Sequence, residues 1–252
     1  MNNYPIIPYI GFKNETVTIP QTFPMQHQNV QPGMEYEMTP LPIFENPNYI
    51  PSHKLEGKVA IISGGDSGIG RAVSLLFAKE GANIVISYLN EHQDANYTKQ
   101  LVESCNRKCI LVPGDLRDEA LSSHIVDVAI KNFGKIDILV NNCGVQFPQN
   151  SILDISSKQL KDTFETNIYT FFYLTKAVLP CLKAGSSIIN TTSITAFGGK
   201  KNLIDYSATK GAIMVFTKSL ALSLANQKIR VNAVAPGPIW TPLIPSSFSP
   251  EE

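Results

Sequence analysis

Residues 58–73 read KVAIISGGDSGIGRAV. An apolar run rich in Val and Ile ends at Ser63, glycines follow at 64, 68 and 70, and helical period begins at once. The spacing G-x-x-x-G-x-G at a turn from strand to helix is a relative of the dinucleotide fingerprint. Glycines suit such a turn because the backbone must bend tightly and approach a pyrophosphate closely. The helix that follows offers free N–H groups and the positive end of its dipole to the phosphates.

Outward from this unit the texture repeats. ANIVIS, KCILVP, KIDILV, SSIINT and IRVNAVA are short apolar runs, and stretches of helical period such as LSSHIVDVAIKNFG lie between them. Buried strands alternating with helices predict an α/β fold, a doubly wound Rossmann-type parallel sheet with helices on both faces. Six strands are counted over residues 57–252. Residues 1–56 differ: nine of the 17 prolines fall before residue 56, and no period is sustained there. The segment keeps aromatic residues, Tyr36, Phe44 and Tyr49 among them, so it is expected to be an extended arm packed on the body rather than a solvated tail.

Composition narrows the function. The 252 residues carry 21 basic and 21 acidic side chains, a formal net charge of zero. No basic footprint for nucleic acid and no polybasic run for a membrane surface is present. No stretch approaches the length of a membrane span, and no targeting segment stands at the N-terminus, so a cytoplasmic location is expected. Cys105, Cys109, Cys143 and Cys181 lack CxxC spacing, which favours reduced thiols over a metal site or disulfides.

Several positions cluster by chain order at the carboxyl edge of the expected sheet. The second strand ends at Ser87-Tyr88-Leu89-Asn90 without a carboxylate placed for a ribose 2′-hydroxyl, Glu91 coming late. This leans the cofactor towards NADP over NAD. Asp115 follows the third strand, where an adenine ring would lie, and NNCG (141–144) follows the fourth. Tyr206 and Lys210 stand four apart on one helix face. An ammonium beside a phenol favours the phenolate, and Ser193, after the fifth strand, can donate to the same substrate oxygen.

SGGDSGIG, GDL (114–116), NNCG, Asn167 in FETNIY, Ser193, Tyr206-x-x-x-Lys210 and PGPIWTPL (236–243) together resemble the short-chain dehydrogenase/reductase family, in that family's order and over residues 57 to about 245. The arm HQNVQPGMEYEMTPLPIFENPNY resembles the N-terminal extension of its general-stress branch. The resemblance implies that Tyr206 is the acid or base, that Lys210 lowers its pKa and holds the nicotinamide ribose, and that Ser193 orients the carbonyl. It implies that Asn167 keeps a water for proton relay. Gly64, Ser67, Gly68, Ile69 and Gly70 would hold the pyrophosphate, Asp115 and Leu116 the adenine, and Asn142 the ribose. Pro236, Gly237, Ile239 and Thr241 would hold the nicotinamide. Ser63 stands where the family usually has Thr, and Cys143 where it usually has Ala.

The expected function is hydride transfer between a nicotinamide cofactor and a small carbonyl compound or secondary alcohol, with homo-oligomers formed through the helices carrying Asn167 and Tyr206. Family members continue past the nicotinamide loop with further helices and a seventh strand, whereas this sequence stops at SFSPEE, a helix-start pattern. The last helix and strand are therefore expected to be missing, leaving IRVNAVA as an open edge. The alternative reading is a truncated, catalytically silent fragment that at most binds nucleotide or a partner chain.

Overall fold

The computed structural model describes Thr22 and residues 24–251; the first part of the expected arm, residues 1–21 and 23, and Glu252 of the helix-start pattern lie outside the described residues. Six parallel strands, β1 (Val59–Ser63), β2 (Asn83–Tyr88), β3 (Cys109–Pro113), β4 (Ile138–Asn141), β5 (Ser187–Thr191) and β6 (Arg230–Val234), form one sheet in the order β3-β2-β1-β4-β5-β6. These are the six apolar runs of the sequence. The reversal of strand order between β1 and β4 opens a crevice above their carboxyl ends, where such sheets bind ligands.

Alternation along β1 shows why both faces need cover. Ile61 joins Val85, Ile125, Leu139, Leu174 and Ile188 on one side, while Ala60 and Ile62 join Ile84, Ile86, Val102 and Val140 on the other. Helices α1 (Gly68–Lys79) and α2 (His92–Ser104) supply the second layer. Helices α3 (Glu119–Phe133), α5 (Thr170–Val178) and α7 (Ile204–Leu224) supply the first. Each fully buried isoleucine stabilises the fold by roughly 2 kcal/mol. Among the described residues β6 pairs with β5 alone, and of its five residues only Val231 is buried.

Local signals set the helix ends. Asp118 caps α3 by accepting from Ala120 N at 3.0 Å, and Gly134 closes it in the left-handed conformation at φ 73°. Ser156 caps α4 (Ser157–Phe164), which continues through a π-helical turn, Glu165–Tyr169, into α5. Short α6 (Thr195–Gly198) precedes α7. Pro250 and Glu251 form a turn.

Helix α1 is capped differently. Ser67 makes no side-chain capping bond. Its Gly68 N–H instead donates at 2.5 Å to Glu35, a carboxylate from the segment preceding the sheet. A negative group at this end also complements the helix dipole.

Candidate active site

A cavity of about 960 Å³ opens at the crevice above β1 and β4. Its wall begins with the glycine turn. A Cβ on Gly70 would lie 1.8 Å from the Gly64 carbonyl oxygen, so only glycine lets α1 leave the turn so steeply. Gly64 and Gly68 have φ of 59° and 49°, and a Cβ on Gly68 would meet Thr241 at 3.0 Å. The turn is thus pressed against the loop that follows β6. Ser63 Oγ accepts from Asn142 N at 2.9 Å and Cys143 N at 3.3 Å, which gives the hydroxyl at that position a task. Asn142 Nδ2 donates to Gly64 O at 3.0 Å, and its Oδ1 accepts from Thr191 Oγ1 at 3.1 Å. One amide side chain therefore spaces β1, β4 and β5 at the cavity floor.

Ser67, Ile69, Asp115, Leu116, Pro236, Gly237, Ile239 and Thr241 all line this cavity, together with Gly64, Gly68 and Asn142. Gly70 stands behind the turn rather than in the wall. Asp115 pairs with Arg117, whose guanidinium holds its carboxyl below the usual range. Glu91, expected to come too late in the chain, is buried and lines the cavity beside Tyr88 and Leu89. Asp66 lines it too; burial, with Glu91 nearby, pushes its carboxyl up to about 7. Asp66 lies inside the glycine turn, where residue type alone does not announce a place in the cavity wall.

Tyr206, Lys210 and Ser193 converge on the same cavity. Lys210 Nζ lies 5.4 Å from the centre of the Tyr206 ring and donates to Thr191 O at 3.0 Å. Its side chain is nearly fully buried, which lowers its pKa to about 8. Burial raises the Tyr206 phenol, and a hydrogen bond with Ser193 opposes that rise. The lowering expected from Lys210 is not what dominates this phenol; desolvation is. Ser193 Oγ accepts from Thr195 N at 3.2 Å, and its own hydrogen is directed to the Tyr206 phenol.

Asn167 lies behind the wall, not in it. Its Oδ1 accepts from Val145 N at 2.8 Å, and its Nδ2 donates to Val145 O at 2.9 Å and Thr209 Oγ1 at 3.1 Å. It sits on the π-helical turn, a local widening that the residue types of ETNIY did not announce. Gly144 separates it from the ammonium: a Cβ there would lie 3.2 Å from Asn167 Oδ1 and 3.5 Å from Lys210 Nζ. Cys143 is half-buried, and desolvation pushes its thiol up.

The glycine turn, the N-terminal end of α1 beyond Gly68 and the size of the cavity fit a dinucleotide. Among the described residues no group of three His, Cys, Asp or Glu side chains could hold a metal ion, and no helix is long and apolar enough to cross a membrane.

Comparison with known proteins places these features. A protein-family model described as Enoyl-(Acyl carrier protein) reductase matches residues 64–251. The chain is 65% identical over 232 residues to the uncharacterized oxidoreductase YhxC of Bacillus subtilis (strain 168), covering 92% of this chain and 81% of that one. It is 56% identical to General stress protein 39 of the same organism, with the same coverage. It is 48% identical to the chloroplastic NADPH-dependent aldehyde reductase 1 of Arabidopsis thaliana, over 90% of this chain and 81% of that one. In structure it matches a 3-ketoacyl-(acyl-carrier-protein) reductase from Brucella melitensis complexed with NADH, at TM-score 0.72 and 33% identity over 77% of this chain and 81% of that one.

Proposed function

Since the chain belongs to the short-chain dehydrogenase/reductase family, we propose that it transfers a hydride between a nicotinamide cofactor and a small carbonyl compound or secondary alcohol. The observation that carries this reading is the convergence of Tyr206, Lys210 and Ser193 on a cavity whose other wall is the glycine turn.

When bound, the nicotinamide supplies or accepts the hydride. In the reducing direction the Tyr206 phenol donates its proton to the substrate oxygen. Ser193, its Oγ already accepting from Thr195 N, donates its own hydrogen to that oxygen and stabilises charge developing there. Lys210 remains largely charged at neutral pH and favours the phenolate left behind. Its remaining N–H groups would hold the ribose of the nicotinamide nucleotide. Asn167, fixed by two bonds to the Val145 backbone, borders the space that Gly144 keeps open beside Lys210. A water there passes the proton back to Lys210 and Tyr206.

The cofactor is NADP or NAD. The name of the Arabidopsis relative favours NADP, while the two buried carboxyls Asp66 and Glu91 oppose a 2′-phosphate and favour NAD. Thermal unfolding with each nucleotide separates them. A ligand in hundredfold excess over its Kd stabilises the folded state by roughly 2.7 kcal/mol. A raised Tm with one nucleotide, oxidation of its reduced form by an aldehyde panel, and loss of turnover but not of the shift in Tyr206→Phe support the reading. Indifference to both nucleotides sinks it.

Oligomers through α5 and α7 belong to the same proposal. Tyr169, Phe172, Val215 and Leu222 are exposed on these helices and the turn before them. Sedimentation should show a dimer that Phe172→Glu converts to monomer; a monomeric parent chain refutes the assignment.

A further inference from the structure

The segment preceding the sheet reaches the cavity. Gln31, Pro32 and Gly33 form part of its wall, although none of them belongs to the glycine turn or to the catalytic helix. Resting on the hydride-transfer reading, we propose that Gln31 is a positioning residue of the active site. Its amide joins the loop after β4 to the loop after β6 at the substrate end of the cavity, and Glu35 fixes its register against the cofactor turn.

The bonding of the amide carries the argument. Gln31 Nε2 donates to Gln146 O at 2.5 Å, and Gln31 Oε1 accepts from Gln146 N at 3.2 Å. This doubles as a backbone-like pair with the loop after β4. The same Nε2 reaches Ser246 O at 3.2 Å and Ser247 Oγ at 3.4 Å, in the loop after β6. One side chain thus spans two loops whose strands, β4 and β6, are separated by β5 in the sheet. Gln146 and residues 241–244 are themselves cavity wall, so the distance Gln31 sets is the width available to a substrate.

Neighbouring contacts hold the amide in place. Gln28 N donates to Pro245 O at 2.8 Å, and Trp240 Nε1 donates to Pro40 O at 2.8 Å. A Cβ on Gly33 would lie 2.6 Å from Pro242 O, so the two backbones are in direct contact there. Four residues on from Gln31, Glu35 is 1% exposed and accepts from Gly68 N and from Arg71, while Glu35 N donates to Asp94 Oδ2 at 2.7 Å. Arg71 is itself held by Asp94 Oδ1 at 3.0 Å and Thr98 Oγ1 at 2.8 Å. A buried carboxylate with this many donors is costly to move. Its attachment to the first N–H of α1 ties the segment to the turn that would carry the pyrophosphate.

The test compares the full chain with Gln31→Ala and Gln31→Glu, the second keeping size and acceptor but not the donor. Amide hydrogen exchange at 145–147, 244 and 246–248 should quicken at least tenfold in both variants, with the amides of β1 and β4 unchanged. With glyceraldehyde and benzaldehyde as probes, KM should rise about tenfold while kcat and the nucleotide Kd stay within threefold. Unchanged exchange in the two loops overturns the proposal. So does a parallel fall of kcat, nucleotide affinity and Tm, which would mark a merely structural residue. A parent chain without turnover refutes the hydride-transfer reading, and the exchange experiment then decides the role of Gln31 alone.

Discussion

Replacing Lys210 by Met should stabilise the protein while silencing it. Burial brings the lysine from its ordinary 10.5 down to about 8. That interval corresponds to roughly 3 kcal/mol of cost to the folded state while the side chain is charged in both states. Lys210→Met keeps an apolar stem of similar length and removes the charge. It also leaves Thr191 O without the donor now 3.0 Å away, a loss of about 1 kcal/mol. The net at pH 7 is a gain of roughly 2 kcal/mol, or about 4–8 °C in Tm for a chain of this size. The dependence on pH has a definite sign. Because the folded value lies below the unfolded one, the cost is whole below about pH 8 and is shed between about 8 and 10.5, where only the unfolded chain keeps the proton. The advantage of the variant should therefore shrink to nearly nothing by about pH 9.5. Thermal unfolding of both proteins at the two pH values, followed by circular dichroism, measures this difference directly. A variant less stable than its parent at pH 7, or an advantage that does not change with pH, refutes the reasoning.

Gly144→Ala fills the space between Asn167 and Lys210. It should lower kcat about tenfold while leaving the nucleotide-induced rise in Tm intact, as read by turnover and thermal unfolding in parallel. Glu80 accepts from Tyr49 Oη and from Lys54 N at 2.8 Å, and these bonds, the phenol's first, lower its carboxyl to about 2. Its contribution is present above the ordinary carboxylate value of 4.5 and is lost as pH falls from there to about 2. Glu80→Gln should thus melt below its parent at pH 7, the two converging near pH 2 in the same unfolding assay.

The sheet was legible because its central strands β1, β2 and β4 are runs of Val and Ile that suit a doubly covered position, and because Gly64, Gly68 and Gly70 mark where β1 becomes α1. Tyr206, Lys210 and Ser193 were legible as a set, since the positions following strands of such a sheet meet in space. Glu91 was read by its distance from the strand end along the chain, and that distance does not show its place in the cavity wall. The role of residues 24–57 was not legible. Their bonds run from side chains to backbone carbonyls and amides far away in sequence, and no periodicity encodes such pairs. Glu35 and Arg71 look like ordinary surface charges until the fold buries one on the other. The π-helical turn under Asn167 likewise depends on tertiary packing rather than on local preference.

Those distant bonds bear on how the molecule is assembled. His27 Nδ1 meets Phe248 O at 2.7 Å across a separation of 221 residues, and Trp240 meets Pro40 across 200. On the ribosome residues 27–40 emerge long before their partners at 240–248, which are made 200 residues or more later. Closing so long a loop from an unfolded chain would cost several kcal/mol of entropy. Once the sheet has formed, however, both stretches are already neighbours, and docking becomes a local event. The cavity wall that contains Gln31 is then completed only after the sheet. A nascent or partly folded chain would carry its catalytic groups in order while its substrate end remained unfinished.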